Sequence, residues 1–162
     1  MSIRIRLKSI ALATDGGPVR HQFVGPLTVL TGPVGVGKST LFELVKYAIG
    51  GKARIAPVAR DHITQVQIEL EIANETLRLT RALAGPTASE VEIHDVRAAE
   101  TLGVFRVMPD RSGDATRTVS SALLGAMGLP TDVVATSKTR TSRITFNNVW
   151  SFIYVEQREI DR

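Results

Sequence analysis

The chain of 162 residues contains no cysteine. That excludes disulfides and thiolate metal sites, and it fits a cytoplasmic setting. Its three histidines, His21, His62 and His94, lie far apart and lack the spacing of metal ligands. They read as surface or strand polar residues. No apolar run approaches the length of a membrane span. Met1 to Arg6 lacks the apolar stretch of a signal peptide. Internal repeats and low-complexity segments are missing too. Aromatic residues are few, at 5%, and the single tryptophan, Trp150, sits in an apolar cluster that reads as core. What is present is the composition of a soluble globular domain, 43% apolar and 22% charged. The length suits one domain, residues 1–162, with a sizeable core. Net charge is +4. A basic excess of that size permits nucleic-acid contact without establishing it, and an ordinary solvated surface explains it equally well.

The informative stretch is Gly32-Pro33-Val34-Gly35-Val36-Gly37-Lys38-Ser39. It fits G-x-x-x-x-G-K-[ST], the phosphate-binding loop or Walker A pattern. A triphosphate needs many donors close together and no side chains in the way. Glycines at 32, 35 and 37 let the backbone curl so that successive N–H groups turn inward. A following helix adds free N–H groups and the positive end of its dipole. Lys38 suits the β- and γ-phosphates, and the Ser39 hydroxyl suits Mg²⁺, which prefers hard oxygen ligands. Thr40 either donates to the α-phosphate or only favours the helix start. The surroundings agree with the motif. Leu27 to Leu30 is a short apolar run of strand formers. Ser39 to Ile49 predicts a helix with Leu41, Leu44, Val45 and Ala48 on one face, stopped by Gly50-Gly51. The bland alternative is a Gly-rich turn that happens to precede a helix.

Elsewhere Ile3, Ile5 and Leu7 alternate with Arg4, Arg6 and Lys8, the pattern of a half-buried strand with a basic outer face. Asp15 to Pro18 is a turn, and His21 to Val24 pairs back as a second strand. Lys52, Arg54 and Arg60 lie on a basic loop. Val66 to Ile72 and Leu77 to Leu79 alternate around Ala73-Asn74-Glu75, predicting a hairpin. Glu90 to His94 and Phe105 to Met108 predict further strands, antiparallel in character with one wet face. Thr118 to Met127 predicts a helix. Ser137 to Arg143 is a second basic loop, with Lys138, Arg140 and Arg143. Val149 to Val155 is strongly apolar, with Glu156-Gln157-Arg158 directly after it, and Phe152 to Gln157 reads as an apolar strand with a polar end.

Joined to the phosphate loop, Phe152-Ile153-Tyr154-Val155-Glu156-Gln157 makes the chain resemble the N-terminal lobe of SMC/SbcC-type coiled-coil ATPase heads. The order of elements matches over nearly the whole length. The resemblance implies an α/β P-loop NTPase of the ABC/SMC head type, with a mixed sheet beside an antiparallel subdomain. It implies ATP and Mg²⁺ as cofactors, bound by Gly32 to Thr40. Gln157 becomes the Q-loop glutamine, acting on Mg²⁺ and the attacking water, with Lys38 and Gln157 as the catalytic pair in this lobe. The implied partners are a C-terminal lobe joined through a coiled coil, a second head in an ATP-sandwiched dimer, DNA, and a nuclease or accessory subunit, with no membrane. The implied location is cytoplasmic and nucleoid-associated. Lys52, Arg54, Arg60, Lys138, Arg140 and Arg143 are the candidates for DNA contact.

The chain departs from that family in three places. Val34 stands where the family usually has Asn. Ser9 to Asp15 carries no Arg where an Asn-Phe-Arg-type motif belongs, with Lys8 and Arg20 the nearby cations. No apolar strand ends in Asp-Glu, since Val91-Glu92-Ile93-His94-Asp95 is a poor match. We therefore expect a fragment, one lobe of a head, that binds ATP without efficient hydrolysis. Three alternatives share some features: a small P-loop nucleotide kinase, an ABC-transporter nucleotide-binding domain, and a non-catalytic nucleotide-sensing or DNA-binding module. The wide spacing of Lys38 and Gln157 disfavours the transporter. The antiparallel middle of the chain disfavours the kinase.

Overall fold

The computed structural model describes residues 4–25, 28–109, 117–131, 134–136 and 141–153. Alternating sequence becomes a six-stranded sheet. Its strands are β1 (Ile5–Thr14), β2 (Gly17–Gln22), β3 (Ile63–Ile72), β4 (Glu75–Ala82), β5 (Glu90–Asp95) and β6 (Glu100–Arg106). Their order is β2-β1-β3-β4-β5-β6, and every pairing is antiparallel. Register puts Ile68 opposite Leu79 and Leu70 opposite Leu77, so the period-two apolar residues share one face. Those four side chains are fully buried or nearly so. The expected hairpin turn is Ala73-Asn74, with Ala73 at φ 51°.

Helix α1 (Lys38–Ala48) lies against β3 and β4. It buries Leu44, Val45 and Ala48, as its spacing predicts. Burial of Leu44 and Val45 stabilises the fold by about 1.5–3 kcal/mol each, and the single methyl of Ala48 contributes less. The helix ends with Gly50 N–H on the Tyr47 carbonyl (3.0 Å) and Gly51 N–H on the Lys46 carbonyl (2.9 Å). These are the two bonds of a Schellman stop, with Gly50 at φ 87°. Helix α2 (Pro57–His62) follows, so Arg60 is helical while Lys52 and Arg54 are on the loop. Helix α3 (Val119–Ala126) starts at a capping box. Thr118 Oγ1 accepts from Ser121 N (3.2 Å), and Ser121 Oγ accepts from Thr118 N (3.1 Å).

Three expectations are corrected. The described sheet is antiparallel throughout, not mixed. Residues 28–30 form no strand, and Val29 is 69% exposed. A short apolar run becomes a strand only where a neighbour completes its ladder, and no described strand lies parallel to this one. Second, Phe152 and Ile153, where the expected strand Phe152–Gln157 begins, belong to helix α4 (Phe146–Ile153), and residues 154–157 lie outside the described residues. Its start is fixed by Asn148, whose Oδ1 accepts from Thr145 N and Thr145 Oγ1, both at 2.8 Å. Phe146 N donates to Ser120 Oγ (2.7 Å), and the Phe146 ring packs at 6.3 Å from Trp150, one helical turn on. The apolar positions 146, 149, 150 and 153 follow a helical period, which a strand reading that begins at Phe152 hides. Third, part of the second basic loop is a hairpin, β7 (Val134–Thr136) with β8 (Thr141–Arg143), and Arg143 sits in a strand.

Candidate nucleotide site

The phosphate loop runs directly into α1. Gly37 is the helix N-cap at φ 87°, and Gly32 and Gly35 also have positive φ, at 144° and 90°. Side-chain-bearing residues rarely adopt such angles, which accounts for glycine in the motif. A Cβ placed on Gly35 or Gly37 would meet nothing within 4 Å, so the space before the loop is open. Gly32 is tighter, with Val36 Cγ2 3.3 Å from such a Cβ. The loop is exposed throughout, and Val34 points wholly into solvent.

Lys38 Nζ donates to the Gly32 and Pro33 carbonyls, both at 2.7 Å. The ammonium is thus folded back over the loop. The first turn of α1 carries no acidic residue and has no side-chain cap, which leaves its N–H groups and dipole uncompensated. Ser39 is exposed at the same turn, and Thr40 is half-buried. Open glycine backbone, one ammonium, free helix-terminal donors and a hydroxyl form a donor set that fits a nucleotide phosphate with Mg²⁺.

Arg6 is a residue that the sequence reading missed. Its Nη2 donates to the Val24 carbonyl and to the Gly25 carbonyl (3.0 Å), anchoring the segment that leads to the loop. The basic outer face of β1 was legible, but the contact across a chain separation of 19 residues was not. Lys8 and Arg20, the cations near the expected Asn-Phe-Arg position, are engaged elsewhere. Lys8 pairs with Glu71 at 3.3 Å, and Arg20 with Glu69 at 3.2 Å. Glu69 also accepts from Ser9 Oγ (3.2 Å) and Arg78 Nη2 (2.9 Å). Burial pushes its carboxyl up, but the bonds from Arg78 and Ser9 and the charges of Arg20 and Arg78 outweigh that. The net effect is a pKa below the ordinary 4.5.

Asp95 serves structure: its Oδ1 accepts from Arg97 N (2.8 Å) and Ala98 N (3.1 Å), closing the β5–β6 turn. His62 Nδ1 faces Asp15 Oδ2 at 3.0 Å and His94 Nδ1 faces Thr101 Oγ1 at 3.2 Å. Lys52, Arg54, Arg60 and Arg143 are exposed. Gln157, Lys138 and Arg140 lie outside the described residues, as do Glu156 and Glu159.

The family model for the AAA domain matches residues 17–151. The chain belongs to this family, and so to the AAA-type P-loop ATPases, which bind nucleotide and generally use ATP with Mg²⁺. The matched span holds the phosphate loop, the sheet from β2 onward and most of α4. No curated protein matches the chain. No helix among the described residues is long and apolar enough to cross a membrane.

Proposed function

We propose that this chain is the ATP-binding N-terminal lobe of an SMC/SbcC-type head, acting on DNA in repair, chromosome maintenance or defence. The observation that carries the reading is a phosphate loop whose helix packs on a sheet of N-terminal and mid-chain antiparallel strands. The order of elements supports it: strand pair, loop, helix, basic segment with a short helix, hairpin, strand pair, helix, a short strand pair and a last helix, with Gln157 after it in the sequence. A nucleotide kinase would place its loop on a parallel sheet, which the described strands do not form.

In this reading the backbone of Gly32 to Gly37 and the N-terminus of α1 bind the phosphates. Lys38 leaves the Gly32 and Pro33 carbonyls for the β- and γ-phosphate oxygens, and Ser39 holds the metal. Gln157 orients the attacking water. Bound Mg-ATP supplies the phosphoanhydride whose cleavage resets head engagement. The general base and the opposing signature serine come from the C-terminal lobe and the second head. Lys52, Arg54, Arg60, Lys138, Arg140 and Arg143 contact DNA phosphates. Neutralising Lys138, Arg140 and Arg143 then flattens the salt dependence of DNA affinity. An unchanged slope removes that segment from the interface.

The test of the lobe assignment is ATP turnover by residues 1–162, alone and with an added C-terminal lobe. Alone, turnover is negligible, since no described residue is placed as a general base. With the lobe it rises, and Gln157→Ala lowers it. Robust turnover by the isolated chain that is lost in Lys38→Ala would overturn the assignment and direct attention to Asp95, Glu156 and Glu159.

A further inference from the structure

At the end of α1 remote from the phosphate loop lies a cleft of about 840 Å³. The helix is 11 residues long, so the two sites stand roughly 16 Å apart along its axis. The cleft's size is that of a small-molecule site. Its walls mix the apolar side chains of Leu83, Val107 and Trp150 with cations, and its lining contains no carboxylate.

The floor is built rather than incidental. Arg81 is only 8% exposed. Its guanidinium lies 3.6 Å over the Tyr47 ring. Nε donates to the Ala88 carbonyl (2.8 Å) and Nη1 to the Tyr47 carbonyl (2.6 Å), and neither bond uses Nη2. The Tyr47 hydroxyl is fixed in turn on the Ala82 carbonyl (2.7 Å). The Nη1 bond to Tyr47 also offsets the negative end of the α1 dipole, which would otherwise repel an anion here. At the rim, Lys52 and Arg60 are exposed and form no ion pair among the described residues.

We propose that this cleft is a second binding site, independent of the phosphate loop, for a small aromatic anion. A planar ring bearing a carboxylate, sulfonate or phosphate would lay its ring against the apolar wall beside Trp150. Its charge would meet Lys52, Arg60 and the remaining donor of Arg81. Ring and charge together are required. The walls reward burial of apolar surface, and the cations, with no carboxylate among them, select for negative charge.

Trp150 is the only tryptophan in the chain, so its fluorescence reports on this cleft directly. The probe is anilinonaphthalene sulfonate, an aromatic anion that accepts energy from tryptophan. Titrated into the folded chain, it should bind saturably at one site and quench Trp150 by energy transfer. Lys52→Glu with Arg60→Glu, both exposed and so harmless to folding, should weaken it at least tenfold. Lys38→Ala should leave its affinity unchanged. The proposal fails if binding is non-saturable, if the charge reversal has no effect, or if Lys38→Ala weakens binding equally.

Discussion

The two ends of α1 use the same residue type for opposite purposes. At the N-terminal end, Gly35 and Gly37 face open space, where an added Cβ would touch nothing within 4 Å. At the C-terminal end, Gly51 is buried, and an added Cβ would stand 2.7 Å from the Lys46 carbonyl and 3.2 Å from Asn147 Oδ1. The first set leaves room for something that is not protein. The second lets the helix end pack against α4. Glycine content alone therefore says little, and what surrounds each glycine separates a ligand cradle from a packing contact.

Substitution at both ends sharpens that contrast. Gly51→Ala should be the most damaging. It forces a carbon into a backbone carbonyl, at a cost of about 1–3 kcal/mol. The melting temperature should fall by several degrees for a domain of this size, while the Mg-ATP-induced shift survives. Gly37→Ala should cost less, about 1–2 kcal/mol of left-handed backbone strain, yet it should abolish the nucleotide-induced shift. Paired thermal melts with and without Mg-ATP test both. If Gly51→Ala lost the nucleotide response and Gly37→Ala kept it, the division of labour would be reversed.

The smallest effect concerns the sheet face turned away from α1. The Glu69 carboxyl is held below 4.5 by Arg78, Ser9 and Arg20. A lowered folded-state pKa means that the ionised group adds stability above the unfolded value. That stability is lost as pH falls from about 4.5 through the lower folded value. Glu69→Gln should therefore lower the melting temperature near neutral pH, and the difference from wild type should shrink under acid. A difference independent of pH would place the effect in packing rather than charge.

Much of this was legible before the structure. Gly32 to Ser39 with the spacing of Leu41, Leu44, Val45 and Ala48 suffices for loop and helix, because local sequence fixes both. The β3–β4 hairpin was legible because its two apolar rows are strictly alternating. Helix α4 was hidden, because its helical period begins at Phe146, ahead of the apolar stretch, and its start depends on a local cap at Thr145 and Asn148. The cleft was hidden for a different reason. Tyr47, Lys52, Arg60, Arg81, Val107 and Trp150 come from six separate stretches that only the topology gathers.

The central claim is that the open end of α1 is a phosphate site whose charge is supplied by Lys38. Thermal melting of the wild type and of Lys38→Ala, each with Mg-ATP in large excess, tests it most directly. At about 100 times the dissociation constant, binding stabilises the fold by about 2.7 kcal/mol. For this chain length that is a rise of roughly 5–10 °C. The account predicts that rise in the wild type and its loss in Lys38→Ala. An equal rise in both proteins would contradict it, and would place the nucleotide somewhere other than the glycine loop.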